Sequence, residues 1–318
     1  MRQTENSHSL FLALALILGG LLNLIALADA QAATIYKDTT RTGNLSSDER
    51  WQGTIDVTGD ITVGTGITLT IDPGTIVRFA AGSDDQHLGP TTPIFDSNFP
   101  YDPHIAQSSI CSINVYGGAL YAIGTSTNPI VFTSSSVANP QPGDWQSIQY
   151  ILPGGILRLQ YAVIEYGYYG VQINTNATDA NITIKNNIMC DIVACGVCCG
   201  NSQVSITISD NDISSCGHEA IDTHQLANLV IEHNVFHDIY NPTPPFGPSG
   251  AGVVIDGNSS TVRYNQFKGN RFGLNIISPS SPHIYGNFFA GNDANCWGHC
   301  PYPLQRALTA PLPLLLSD

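Results

Sequence analysis

The chain has 318 residues, 42% of them hydrophobic and 11% charged, with a formal net charge of −14 at pH 7. The apolar share excludes a disordered polymer, and the acidity excludes nucleic acid and anionic lipid as natural partners. Charged residues fall far below the usual share of about a quarter, and 30 glycines favour strands and tight turns over amphipathic helices.

The run from Leu10 to Leu27 is apolar and uncharged, follows Arg2, and ends in Ala28-Asp29-Ala30. That pattern is read as a cleaved signal peptide over residues 1–30, against the alternative of an uncleaved anchor helix. No later segment is long enough to cross a bilayer. Cleavage removes Arg2, Glu5 and Asp29, one positive and two negative charges, so −14 becomes −13. Export to the cell surface, the periplasm or the medium puts the eight cysteines where disulfides persist. Cys190, Cys195, Cys198, Cys199 and Cys216 crowd together, and Cys296 and Cys300 bracket three residues, so local clips are expected while the pairing stays open.

Residues 53–82 and 118–136 alternate apolar and polar side chains as β-strands do. Between them the proline-bearing insertion Ser83 to Ser109 leaves the strand pattern. A repeat then takes over. A short apolar strand leads into Asn, one variable residue and a large apolar residue: ITIKNNIM (182–189), ITISDNDI (206–213), LVIEHNVF (229–236), TVRYNQF (261–267) and HIYGNFF (283–289), with a weaker copy, LRLQYAVI, at 157–164. From Ala162 the repeated position steps through Asn187, Asn211, Asn234, Asn265 and Asn287, by 25, 24, 23, 31 and 22 residues. The long step holds the insertion Asn241 to Gly250, whose prolines must loop outward. A small residue and a second strand follow each motif, at Gly170, Gly196, Ala220, Gly252 and Gly273.

Steps of this size fit one coil of a right-handed parallel β-helix, an all-β single-stranded solenoid. An antiparallel sandwich or a propeller also has short strands, but neither repeats an Asn motif and a Gly motif at a constant offset. Asn suits the recurrent bend because it tolerates left-handed angles, and stacked amides bond from rung to rung. The expected organisation is a signal peptide at 1–30, a β-helix over 31–295 with irregular capping coils to about 156 and regular repeats over 157–290, and a Pro/Leu-rich tail at 296–318 that ends the solenoid.

These segments, with IDVTGDITVGTGITLTIDPGTIVRF, GALYAIGTSTNPIVFTS and GDWQSI, resemble the exported bacterial proteins with right-handed β-helix repeats of the pectate-lyase-like superfamily. The resemblance covers nearly all of the mature chain. It implies the fold, while the superfamily spans lyases, hydrolases, epimerases and adhesins, and no single enzyme family is matched. Tyr101-Asp102-Pro103-His104 is similar to the Asp-Pro-His signature of alginate epimerases in that superfamily, but it lies in the insertion rather than on a central coil and is read as a turn.

Acids and imidazoles concentrate at 216–239. Asp222 is placed on an outward column with Gln172, Cys198, Val254 and Asn275, and His224 beside Asp256. Asp222, His224, His218 and Glu219 are the catalytic candidates, for proton transfer on a uronic-acid sugar, and His237, Asp256, Arg263 and Lys268 the substrate-binding ones. Calcium is the cofactor that such a polyanion would require. The competing reading is a solvated outer face, with Glu232 and Arg263 paired across consecutive coils. Tyr166, Tyr168, Tyr169, Trp145 and Tyr150 either stack on sugar rings or fill the core. Cys195-Gly-Val-Cys198 is taken as structural, and Cys296 and Cys300 as a disulfide. The leading functional expectation is an exported β-helix that binds extracellular polysaccharide or is displayed towards it. The alternative is a lyase or epimerase acting on uronate polymers.

Overall fold

A computed structural model describes residues 32–86, 110–200, 203–223, 227–240, 250–257, 259–277 and 279–300. The signal segment, most of the 83–109 insertion with Tyr101 to His104, His224, residues 241–249, Asn258 and the tail from 301 lie outside the described residues. Among the described residues no helix is long and apolar enough to cross a membrane.

From Glu49 onward the chain winds as a right-handed parallel β-helix whose strands form three faces. After an opening strand, Thr34–Asn44, the strand Glu49–Gly64 is long enough to supply a rung to each face in turn, pairing with Thr68–Ile71, Ile76–Phe79 and Ile113–Tyr116. Every later pairing between faces' successive rungs is also parallel, as in Leu157↔Ile182 on the first face, Met189↔Ile213 on the second and Val197↔Ile221 on the third. A parallel neighbour needs a crossover connection, and here the strands of the other two faces are that connection. The last described strand, Ala294–Gly298, adds a rung to the third face in register with Phe272–Ile277. Parallel registration therefore extends beyond the sequence repeat in both directions.

The inward positions carry β-branched, leucine and aromatic side chains that are almost wholly buried. On the second face the large residue after each Asn stacks on its counterpart one coil away: Phe236 on Phe267 at 5.1 Å and Phe267 on Phe289 at 4.8 Å between ring centroids. Trp145, Tyr150 and Tyr168 are core residues too, and Phe79 stacks on Trp145 at 4.1 Å. Their rings serve packing rather than sugar stacking.

Between the first and second faces runs the asparagine ladder. Asn211 Oδ1 accepts from both the backbone N–H and the Nδ2 of Asn187 at 3.0 Å, and the same double contact links Asn211 to Asn234, Asn234 to Asn265 and Asn265 to Asn287. Ala162, lacking an amide, still donates its N–H to Asn187 Oδ1 at 3.0 Å. The left-handed bend, however, belongs to the preceding residue: Tyr161, Asn186, Asp210, His233 and Tyr264 have φ of 50 to 58°. The ladder amide satisfies the backbone groups that this bend turns away from the sheets. A shorter second ladder, Asn270 to Asn292, sits at the next corner, with Asn270 N–H donating to Asn292 Oδ1 at 2.9 Å.

The glycines among the small residues that open the third face do not serve conformational freedom, for none of Gly170, Gly196, Gly252 and Gly273 is left-handed. Gly252 has no left-handed φ, yet a Cβ there would lie 2.5 Å from the Phe267 ring and 2.8 Å from the Gly273 carbonyl. Close approach of coil to coil is what excludes a side chain.

In the first coils Asp60 is buried, accepting from the backbone N–H of Ser112 at 2.8 Å. Burial, outweighing the Ser112 hydrogen bond and helped by the charge of Asp84, pushes its carboxyl from 3.8 up to about 6. Between those values the folded chain holds a proton that the unfolded chain has released, so this group removes stability as pH rises through the interval. Asp60→Asn is expected to raise the unfolding midpoint clearly at about pH 8, by an amount corresponding to about 3 kcal/mol, and hardly at about pH 4, as read by thermal melts. Asn234→Ala, which strips a fully buried ladder amide, is expected to cost about 3 kcal/mol in urea titrations, with Asn292→Ala at the half-buried end costing clearly less.

Candidate functional site

The corner between the second and third faces gathers reactive side chains from two consecutive coils. In one coil the chain leaves Ile188–Cys190, turns through the left-handed Asp191, and enters Val197–Cys199 by way of Cys195. In the next it leaves Asp212–Ser214, turns through the left-handed Ser215, and enters Glu219–Thr223 by way of His218. His218 N–H donates to the Ala194 carbonyl at 3.1 Å and Gly196 N–H to the Glu219 carbonyl at 3.2 Å, so the two corners lie in register. Cys198 and Asp222 are paired one turn further along the third face.

Cys195, His218 and Glu219 are all buried, and their donor atoms lie within 4.8 Å of one another. Cys195 Sγ is 3.4 Å from Glu219 Oε2 and 3.9 Å from His218 Nδ1, and His218 Nδ1 meets Glu219 Oε2 directly. The Cys195 thiol is held well above its usual range by its hydrogen bond to the Cys198 thiol, then by burial, then by the charges of Cys198 and Asp222. Burial likewise raises Cys216, and pushes Cys190 up to about 12 with the help of Asp191. The corner thiols are therefore protonated rather than nucleophilic thiolates near neutral pH.

Asp222 occupies the column expected for it, with Gln172, Cys198, Val254 and Asn275, but not an exposed groove. It is only 5% exposed, and Gln172 and Val254 flanking that column are as buried. His224 is not among the described residues. The four residues read as substrate-binding do not converge. His237 and Lys268 are in register on the second face, Arg263 is on the first, and Asp256 ends a strand of the third. His237 lies between Asp212, 3.0 Å from Nε2, and Asp238, 2.7 Å from Nδ1. The anticipated pair of Arg263 with Glu232 forms at 2.6 Å, and Arg263 also donates to the Tyr285 hydroxyl at 2.9 Å. The Cys296–Cys300 disulfide is formed as expected. Cys111, Cys190, Cys195 and Cys216 form no disulfide in this structure.

An open cleft of about 510 Å³ lies beyond the third face, where the strands Ala177–Thr178 and Val204–Ser205 form a small sheet of their own. Asn176, Thr178, Gln203, Ser205 and Asn228 line it with exposed amides and hydroxyls, and Asn181 closes one side. None of the described lining residues is ionisable. This cleft was not foreseen from the sequence, because its residues come from four coils and share no motif.

Residues 111–289, more than half of the chain, match the family described as right handed beta helix region, and the chain belongs to that family. A search of curated proteins finds no match. Among solved structures, a double mutant of the tailspike protein of E. coli bacteriophage HK620 is similar at 13% identity and a TM-score of 0.43, over 86% of this chain. The chain spans 63% of the length of that tailspike chain.

Burial separates the two acid clusters energetically. Glu219→Ala leaves an imidazole and a thiol facing an enclosed gap and is expected to cost about 3 kcal/mol. Arg263→Ala breaks a solvent-screened pair with Glu232 and an exposed hydrogen bond to Tyr285, and is expected to leave the midpoint of thermal unfolding almost where it is.

Proposed function

We propose that the protein is an exported β-helix that binds a neutral extracellular glycan in the amide-lined cleft of its third-face edge. The observation that carries this reading is the cleft itself: it is open, and exposed Asn176, Gln203, Asn228, Thr178 and Ser205 offer donors and acceptors together, while the neighbouring carboxylate of Asp179 is engaged by the N–H and hydroxyl of Thr207. Hydroxyl-rich ligands are recognised by such paired amide and hydroxyl groups, which bond in both directions without requiring a counter-charge. The acidity of the chain favours a neutral glycan over a polyanion, which would need calcium as a bridge. The apolar run before Ala30 supports export.

The lyase or epimerase reading is weaker on geometry. Proton abstraction needs a base within reach of a bound sugar, and His218, Glu219 and Asp222 are buried while His237, Asp256, Arg263 and Lys268 are spread over three faces. Binding to an array of neutral and acidic glycans separates the two. The expected result is retention of neutral chains, weakened about tenfold or more by Gln203→Ala with Asn228→Ala. Release of unsaturated uronate from pectate or alginate, abolished by Asp222→Ala, would instead establish the enzyme.

A further inference from the structure

We propose that Cys195, Cys198, His218 and Glu219 bind a divalent transition metal of the zinc class, joining two consecutive coils of the solenoid. Sulfur, imidazole nitrogen and carboxylate oxygen converge from three residues to within 4.8 Å. Bonds of about 2.3 Å to sulfur and about 2.1 Å to nitrogen or oxygen, meeting near the tetrahedral angle, place two ligand atoms about 3.6 Å apart. The separations of 3.4 Å from Cys195 Sγ to Glu219 Oε2 and 3.9 Å to His218 Nδ1 bracket that value. Imidazole and carboxylate touch directly, and an ion entering between them moves them apart.

The fourth ligand is Cys198. It lies three residues beyond Cys195 and packs against the small cluster that holds Cys195. In Cys-x-x-Cys spacing both sulfurs reach one ion, while His218 and Glu219 are carried to the same place by the in-register coil above. Asp222, next to Cys198 in register, is placed as an outer carboxylate that orients the set. Two thiolates with an imidazole select zinc over calcium or magnesium, which take oxygen ligands, so this site is separate from any calcium that a polyanionic glycan would bring. Three of the four ligands are buried, and four protein ligands fill a tetrahedron. The metal is therefore a structural staple and not a hydrolytic centre.

The test uses the full mature chain, purified without a metal-chelating tag, reduced, stripped with chelator and titrated with Co²⁺ and Zn²⁺. The expected result is one Co²⁺ per chain with the intense visible bands of a tetrahedral thiolate complex, displaced by Zn²⁺, and a melting temperature raised by Zn²⁺. Cys195→Ser and His218→Ala should each weaken Co²⁺ binding by about a hundredfold or more and abolish the Zn²⁺-dependent shift, while Cys111→Ser keeps both. His218→Cys, which retains a ligand, should still bind and move the bands towards a sulfur-richer site, so a variant that fails to fold does not decide the matter. Absence of thiolate bands in the reduced wild type, or bands unchanged in folded Cys195→Ser, would overturn the proposal. So would a Cys195–Cys198 disulfide in the isolated protein that, once reduced, leaves a chain unable to take up cobalt.

Discussion

Everything in this molecule depends on coils stacking in register. A parallel strand cannot satisfy its own backbone groups, and each rung is completed only by the rungs on either side. The continuous strand Glu49–Gly64 sets that register on three faces at once. The asparagine ladder maintains it through the corners, where the sheets give no support, by binding each bend to the coil above. A slip of one residue would turn the inward column of Phe236, Phe267 and Phe289 towards solvent and break the ladder together with the core.

Register also explains where chemistry gathers. Residues 23 or 24 apart become neighbours, so His218 and Glu219 reach Cys195 without any local motif joining them. The open cleft likewise draws Asn176, Gln203 and Asn228 from successive turns. In a stack with contacts only between adjacent coils, a site of this kind also holds together the two coils that build it.

The ladder was legible in the sequence because its period is that of the backbone itself, and Asn187 to Asn287 could be counted. The first coils were harder to read: they stack as regularly, but carry no asparagine at the bend, so only their alternation was visible. The glycine column was recognised by position but not in cause, since the collision of a Cβ at Gly252 with Phe267 is a packing fact that no local propensity encodes. Asp222 was assigned to its proper column, but its burial depends on what covers that face, which strand alternation cannot report. Cys195-Gly-Val-Cys198 was read as a structural pair, and its spacing alone could not report that the next coil brings His218 and Glu219 against Cys195.

The coil that carries the insertion has a ladder spacing of 31 residues and its neighbour has 22, yet both join the same rows of asparagine and phenylalanine. Contour length per turn is thus decoupled from axial rise, which the strand spacing fixes at about 4.8 Å whatever the turn contains. The solenoid works as a ruler: its corners accept added segments of almost any length while the distance between graduations is conserved. The ten residues added to that coil fall between Tyr240 and the strand Ala251–Asp256, one graduation above His218, so length can be added there without redrawing the scale beneath it.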